Sequence, residues 1–210
     1  MLTQLLSPEQ LAEAADLLLR GAVVALPTDT VYGVAADAAS PEAIARLFEA
    51  KRRPLDKAIP LLVAEAQDLD LVAAFVPEPA RRLAERFWPG ALTIVVPRRA
   101  LRSDDLPTVA VRMPDHPLAR ALIRLAGGTL AVTSANISGQ PPATTVAEVM
   151  RQLDGRIAAV VEGGACPGGV ASTIVDTTAG PPRVLRVGGV TIEALRRVVP
   201  RLLLGPGAAS

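Results

Sequence analysis

Four cations stand within seven residues, Lys51-Arg52-Arg53-Pro54-Leu55-Asp56-Lys57, in a chain of 210 residues whose formal net charge is only +1. Positive charge this concentrated calls for an anion: Arg offers a planar fork that matches phosphate or carboxylate oxygens, and Lys a mobile point charge. Upstream, Pro27-Thr28-Asp29-Thr30-Val31-Tyr32-Gly33 crowds hydroxyls behind the apolar run 22–26. A buried strand opening into a polar loop, followed one helix later by a cationic loop, points to a phosphorylated ligand. Each segment also has a plainer explanation. Cations at a helix end complement its dipole. That accounts for Lys51 and Arg52, and less well for Arg53 and Lys57, because Pro54 has already ended the helix. Thr28, Asp29 and Thr30 can equally satisfy their own backbone in a turn.

Further polar groups close apolar strands. Arg112 ends Thr108-Val109-Ala110-Val111-Arg112, where it needs an internal carboxylate or a ligand carboxylate as partner. Thr133-Ser134-Ala135-Asn136-Ile137-Ser138-Gly139 offers hydroxyls and backbone N–H groups that could cradle a phosphate, or simply a decorated turn. Ser172 precedes the strand 173–176, and Arg186 lies on the mostly apolar stretch 184–188. Several chemistries are absent. There is no G-x-x-x-x-G-K-[ST] loop, no G-x-G-x-x-G fingerprint and no G-x-S-x-G elbow. One cysteine, Cys166, and one histidine, His116, exclude an internal disulfide framework and a Cys-rich zinc site, and argue against a catalytic zinc. His116, next to Pro117, reads as capping or abutting a helix start.

The elements that must position these residues follow from periodicity and punctuation. Ser7-Pro8-Glu9-Gln10 is a capping box with proline at the first helical position, and apolar residues at helical spacing run to Gly21. A second helix starts at Ser40-Pro41-Glu42 with Ile44, Leu47 and Phe48 on its inner face, and helices are also predicted over 77–87, 117–126, 146–153 and 192–199. Strands are predicted over 22–26, 59–63, 92–96, 109–112, 130–133, 157–161, 173–176 and 183–187. A glycine-rich loop, 163–169, is a candidate lid. Half the residues are hydrophobic but only 2% aromatic, so the core must be built from Leu, Val, Ala and Ile. Interleaved helices and strands indicate an α/β fold. Strands that follow one another without a helix between them indicate a mixed parallel and antiparallel sheet. One domain is expected over 1–204, with a disordered tail at 205–210. The N-terminus lacks a basic and apolar leader, and no apolar run reaches the roughly 18 residues of a spanning helix. The expectation is a cytoplasmic protein without membrane contact.

Taken in order, the segments 27–33, 51–57, Trp88-Pro89-Gly90-Ala91-Leu92-Thr93, Val111-Arg112-Met113-Pro114, 134–139, 172–176 and Leu185-Arg186-Val187-Gly188 resemble the YrdC/YciO family, in its short bacterial form. The resemblance implies a single α/β domain with a twisted mixed sheet, flanking helices and a deep positive cavity. It implies an L-threonylcarbamoyladenylate synthase, a nucleotidyltransferase that uses ATP, L-threonine and bicarbonate, with Mg²⁺, to feed the t6A37 modification of tRNA. Thr30, Arg112, Ser172 and the backbone near Val132 would hold L-threonine. Arg53, Lys57, Thr108, Ser134, Asn136, Pro142 and Arg186 would hold ATP, and Lys51 and Arg53 would be the catalytic cations. The tRNA t6A transferase proteins would be partners. Some family members carry a threonine-binding histidine where this chain has Leu62. Two alternatives stay open from sequence: a carbamoyl-transfer paralogue with another substrate, and a double-stranded RNA or tRNA-binding protein. The second is disfavoured by the near-neutral charge and by the scarcity of aromatic side chains for base stacking.

Overall fold

The computed structural model describes residues 2–55, 57–99, 106–167 and 170–206. In chain order the elements begin with β1 (Gln4–Leu6), α1 (Leu11–Leu19), β2 (Val24–Leu26), β3 (Gly33–Asp37), α2 (Pro41–Lys51) and β4 (Leu61–Val63). They continue with α3 (Leu69–Val72), α4 (Glu78–Phe87), β5 (Leu92–Pro97), β6 (Thr108–Arg112), α5 (Pro117–Leu125), β7 (Thr129–Ser134), α6 (Val146–Leu153) and β8 (Ala159–Val161). The last are β9 (Thr173–Asp176), β10 (Arg183–Arg186), α7 (Ile192–Val198) and β11 (Leu203–Leu204). Packing divides the chain into two compact units, each assembled from two stretches: Met1–Ala64 with His116–Gly169, and Glu65–Asp115 with Val170–Ser210.

In the first unit the strands run in the order β1-β8-β2-β3-β7-β4. The pairs β1–β8 and β8–β2 are parallel, and β2–β3, β3–β7 and β7–β4 are antiparallel. Strand alternation builds a core on each face. Val24, Leu26, Ala35, Val132, Ala159 and Val161 face one way and pack with residues of α1 and α5. Ala25, Val34, Ala36 and Val160 face the other way and pack with residues of α2 and α6. A sheet covered on both sides carries apolar residues at successive positions, and β2, β3 and β8 do so. The second unit has the order β6-β5-β9-β10-β11, with β5–β9 and β10–β11 parallel and β5–β6 and β9–β10 antiparallel. Its helix α4 packs on β5 and on α7.

The α/β class, the mixed sheet and the flanking helices are as the sequence predicts. The first predicted helix opens differently: Pro8–Gln10 is a 3-10 turn and α1 starts at Leu11. Its capping box is present, with the Ser7 N–H donating to Gln10 Oε1 at 3.0 Å. His116 occupies the N-cap position of α5 without a side-chain capping bond, so it abuts the helix start. Gly205 N–H donates to Val184 O at 2.7 Å, which ties it to β10, and residues 207–210 lie outside the described residues.

Gly33, where β3 begins opposite Ser134 of β7, admits no side chain. A Cβ there would stand 2.7 Å from Val132 Cγ1, and both strands are locked between the two cores. Gly33→Ala should therefore destabilise the fold by roughly 1–3 kcal/mol, the range for overpacking a core. Urea unfolding reads this directly, and a wild-type midpoint and slope would show that β3 and β7 can separate freely.

Candidate functional site

In the first unit, α2 delivers Lys51. Ser40 caps its N-terminus, its Oγ accepting from Ala43 N at 3.2 Å, and Pro41 follows in the first turn. Arg52 closes the helix in the left-handed region at φ 50°, and Pro54 then prevents continuation. The Lys51 side chain does not enter solvent. It is 1% exposed, and its ammonium donates to Asn136 O at 2.6 Å and to Ser134 O. Lys51 O in turn accepts from Ser138 N at 2.8 Å. Helix end and loop are thus stitched in both directions. Burial, and secondarily the like charge of Arg53, pushes the Lys51 pKa down to about 8.

Asn136 completes this loop. Its Nδ2 donates to Ile137 O at 2.9 Å and Gln140 O at 2.7 Å, while Oδ1 is buried without a hydrogen-bond partner. A buried acceptor left unmatched costs about 1–3 kcal/mol, so an incoming N–H or O–H would find a favourable partner there. Arg53 bends back over its own loop, Nε donating to Lys57 O at 3.2 Å and one terminal nitrogen to Ala58 O at 2.9 Å. Lys57 and Pro142 are exposed, and Ser134 is half-buried.

The hydroxyl loop divides by role. Thr28 donates to Val31 O at 2.6 Å and accepts from the amides of Thr30 and Val31 at 3.2 and 3.3 Å. It is the internal cross-link of a turn, the plainer of the two readings. Its proton goes to Val31 O, and its oxygen also lies 3.0 Å from the Thr30 hydroxyl. Tyr32 is wholly buried, its hydroxyl donating to Gly164 O at 2.8 Å, and desolvation lifts its pKa to about 12. That bond, with Cys166 N–H on Thr144 O at 2.8 Å, anchors the described part of the glycine-rich loop. Gly168 and Gly169 of the predicted lid lie outside the described residues. Val132 N–H is taken by Pro60 O at 3.0 Å, and Leu62 sits in the core beside Leu130 and Val132.

In the second unit, Arg112 at the end of β6 is buried, its Nε donating to Gly90 O at 2.9 Å. Thr108 starts the same strand, opposite Pro97. Arg186 at the end of β10 donates to Ser172 O from Nε at 3.1 Å and from a terminal nitrogen at 2.8 Å, and from the same terminal nitrogen to Ser172 Oγ at 3.2 Å. Desolvation, then the like charge of Arg112, pushes the Arg186 pKa down. The residue predicted for ATP is therefore bonded to one predicted for threonine. The close approach needs Gly188, where a Cβ would fall 2.1 Å from Ala171 O. Thr173 Oγ1 pins the turn, accepting from Gly188 N at 2.8 Å and Val190 N at 3.1 Å while donating to Val190 O at 2.7 Å. Sequence reasoning assigned no role to Thr93, whose hydroxyl lies 2.8 Å from Ser172 Oγ. Its only signal was its place in the 88–93 motif. A cleft of the first unit, about 660 Å³ and bordered by Arg20, Arg46, Glu49, Asp154 and Arg156, includes none of the predicted residues.

Fold and loops together define an α/β protein that holds cations and hydroxyls at the ends of its helices and strands. The family model Sua5_yciO_yrdC, described as telomere recombination, matches residues 16–188. The chain belongs to the Sua5/YciO/YrdC family. It is 45% identical over 195 residues to the threonylcarbamoyl-AMP synthase of Bacillus subtilis (strain 168), covering 90% of this chain and 56% of that protein. A Mycobacterium tuberculosis protein provisionally given the same name is 40% identical over 211 residues, covering 97% of this chain and 94% of its own length. The solved structure of P. abyssi Sua5 complexed with L-threonine matches with a TM-score of 0.92 at 38% identity, over 98% of this chain and 63% of that one. The chain thus spans little more than half the length of the B. subtilis relative.

Replacing Lys51 by Met removes the donor from two buried carbonyls, at roughly 1–3 kcal/mol for each acceptor left stranded. The pH dependence identifies the cause. The folded-state pKa of about 8 lies below the ordinary 10.5, so between these values the unfolded chain binds more protons, and stability rises with pH. The stability difference between wild type and Lys51→Met should therefore widen in favour of wild type from about pH 8 to 10.5. A pH-independent difference in urea unfolding would show that Lys51 is not held as a desolvated cation.

Proposed function

We propose that this chain is a threonylcarbamoyl-AMP synthase acting in the cytoplasm, a nucleotidyltransferase that supplies tRNA t6A37 modification. The observation that carries the reading is the match, over 98% of the chain, to a Sua5 structure complexed with L-threonine. In this reading the threonine amine adds to the carbon of bicarbonate, water leaves, and an N-carboxy-threonine forms. An oxygen of the new carboxylate attacks the α-phosphorus of ATP, and the bond to pyrophosphate breaks. The protein need form no covalent bond. Its work is positioning and charge neutralisation, and a site closed to water would protect the carbamate.

From the second unit, Arg112 would take the threonine carboxylate with Ser172 beside it, and Thr108 and Arg186 would serve the nucleotide side. From the first, Thr30 and the backbone at Val132 would meet threonine. Arg53, Lys57, Ser134 and Pro142 would meet ATP, and the open Oδ1 of Asn136 suits the adenine amine or a ribose hydroxyl. Lys51 would contribute its charge while fixing the loop it is bonded to. Leu62 cannot make the polar contact of a histidine, so threonine would rest on the remaining groups. Mg²⁺ would arrive with the triphosphate. Among the described residues no group of three His, Cys, Asp or Glu could hold an ion. The adenylate would pass to tRNA t6A transferase proteins. Among the described residues no helix is long and apolar enough to cross a membrane.

The pure protein with ATP, Mg²⁺, bicarbonate and L-threonine should release pyrophosphate, and omission of either threonine or bicarbonate should abolish it. Release without a threonine requirement would move the function to a paralogue with another acceptor. Tight, salt-sensitive tRNA retention without turnover would favour the RNA-binding alternative. Arg112→Ala should weaken threonine use by about 1.5–3 kcal/mol, the scale of a hydrogen bond to a charged group, and an unchanged threonine kcat/KM would remove it from that role. Lys57→Ala should raise the KM for ATP and leave that for threonine near wild type; the reverse pattern would place Lys57 on the amino acid.

A further inference from the structure

Thr93 and Ser172 form a buried hydroxyl pair, 3% and 6% exposed, with oxygens 2.8 Å apart. A hydroxyl has one proton to give and two lone pairs to receive with. Arg186 can only donate, so its 3.2 Å contact fills one lone pair of Ser172 Oγ. Two arrangements of the pair remain. If Ser172 donates to Thr93, the Thr93 proton is left buried in β5 with no acceptor. If Thr93 donates to Ser172, both lone pairs of Ser172 are filled, and its single proton is the one without an acceptor. Only the second arrangement places the uncommitted proton on the residue that Arg186 touches, where the like charges of Arg186 and Arg112 favour an anion.

We infer that Thr93 is a positioning residue: it donates to Ser172 and thereby commits the Ser172 proton to an oxygen acceptor on the ligand. Resting on the proposed function, that acceptor is a carboxylate or carbonyl oxygen of the amino-acid substrate. Ser172 then acts as a donor only, and its direction is set from the side by Thr93 and from the front by Arg186. The backbone around it is already fixed by Gly188 and Thr173, so Thr93 governs the orientation of one hydroxyl and not the course of the chain.

The test compares Thr93→Val, which keeps the shape and removes the hydroxyl, with Thr93→Ser, which keeps the hydroxyl. Thr93→Val should raise the KM for L-threonine about tenfold, the loss expected from one misdirected hydrogen bond, with the KM for ATP and the thermal midpoint near wild type. Thr93→Ser should restore it, and in a Ser172→Ala background Thr93→Val should have no further effect on threonine KM. An unchanged threonine KM in Thr93→Val, a Thr93→Ser variant as impaired as Thr93→Val, or independent effects of the two sites would each overturn the inference. A wild-type protein that releases no pyrophosphate in response to threonine would instead defeat the proposed function. Urea unfolding of the Thr93→Val, Ser172→Ala and double variants would then decide the pair alone: non-additive changes sustain the hydroxyl coupling for another anionic ligand, and additive changes overturn it.

Discussion

The ammonium of Lys51, held by the main-chain oxygens of Ser134 and Asn136, is the contact on which the first unit's polar loops depend. It fastens the end of α2 to the end of β7. The left-handed Arg52 and the loop 53–58 start from one side of it, and the Asn136 turn starts from the other. A buried cation without partners would be among the costliest groups in a fold. The carbonyl dipoles of Ser134 and Asn136 make it tolerable. The lowered pKa of Lys51 records the desolvation that remains.

A different chemistry serves the same purpose in the second unit. Thr173 and Gly188 set the backbone by hydrogen bonds and by the absence of a side chain, so Ser172 O can accept two bonds from Arg186. The guanidinium fork suits this bidentate contact, and an ammonium would not. Arg112 is fixed separately through Gly90 O, which sits in the turn that Trp88 closes with its indole N–H on Leu92 O at 2.7 Å. Residues of the 88–93 motif and of the 185–188 motif thus scaffold two guanidinium groups.

Much of this was legible in the sequence. The Ser40-Pro41 start and the Pro54 stop of α2, and the apolar strands ending at Arg112 and Ser134, are signalled by local rules that tertiary packing did not override. β3 was missed because Gly33-Val34-Ala35-Ala36-Asp37 is buried on both faces, shows no alternation and is rich in alanine, a weak strand former. β1, α3 and β11 were missed because segments of two to four residues carry too little pattern to read. At the site, residue types indicated which groups were present but not what they bond. Lys51 looked like a surface helix-end cation, and only the approach of β7 buries it. Thr93 looked like an ordinary strand residue, and only the parallel pairing of β5 with β9 brings it to Ser172.

One feature recurs in both units. Lys51 and Arg186 donate to carbonyl and hydroxyl oxygens and to no carboxylate, whereas the ion pairs Arg20–Asp16, Arg81–Asp70 and Arg82–Glu78 join largely exposed side chains. A carboxylate would cancel the cation it positions. A neutral dipole positions the cation and leaves its full charge in place. A chain with a net charge of +1 can therefore hold local positive charge at Lys51 and Arg186 without being basic overall. The same arrangement leaves both cations desolvated and pushed down in pKa, because the carbonyl and hydroxyl dipoles that hold them carry no net charge to offset the burial.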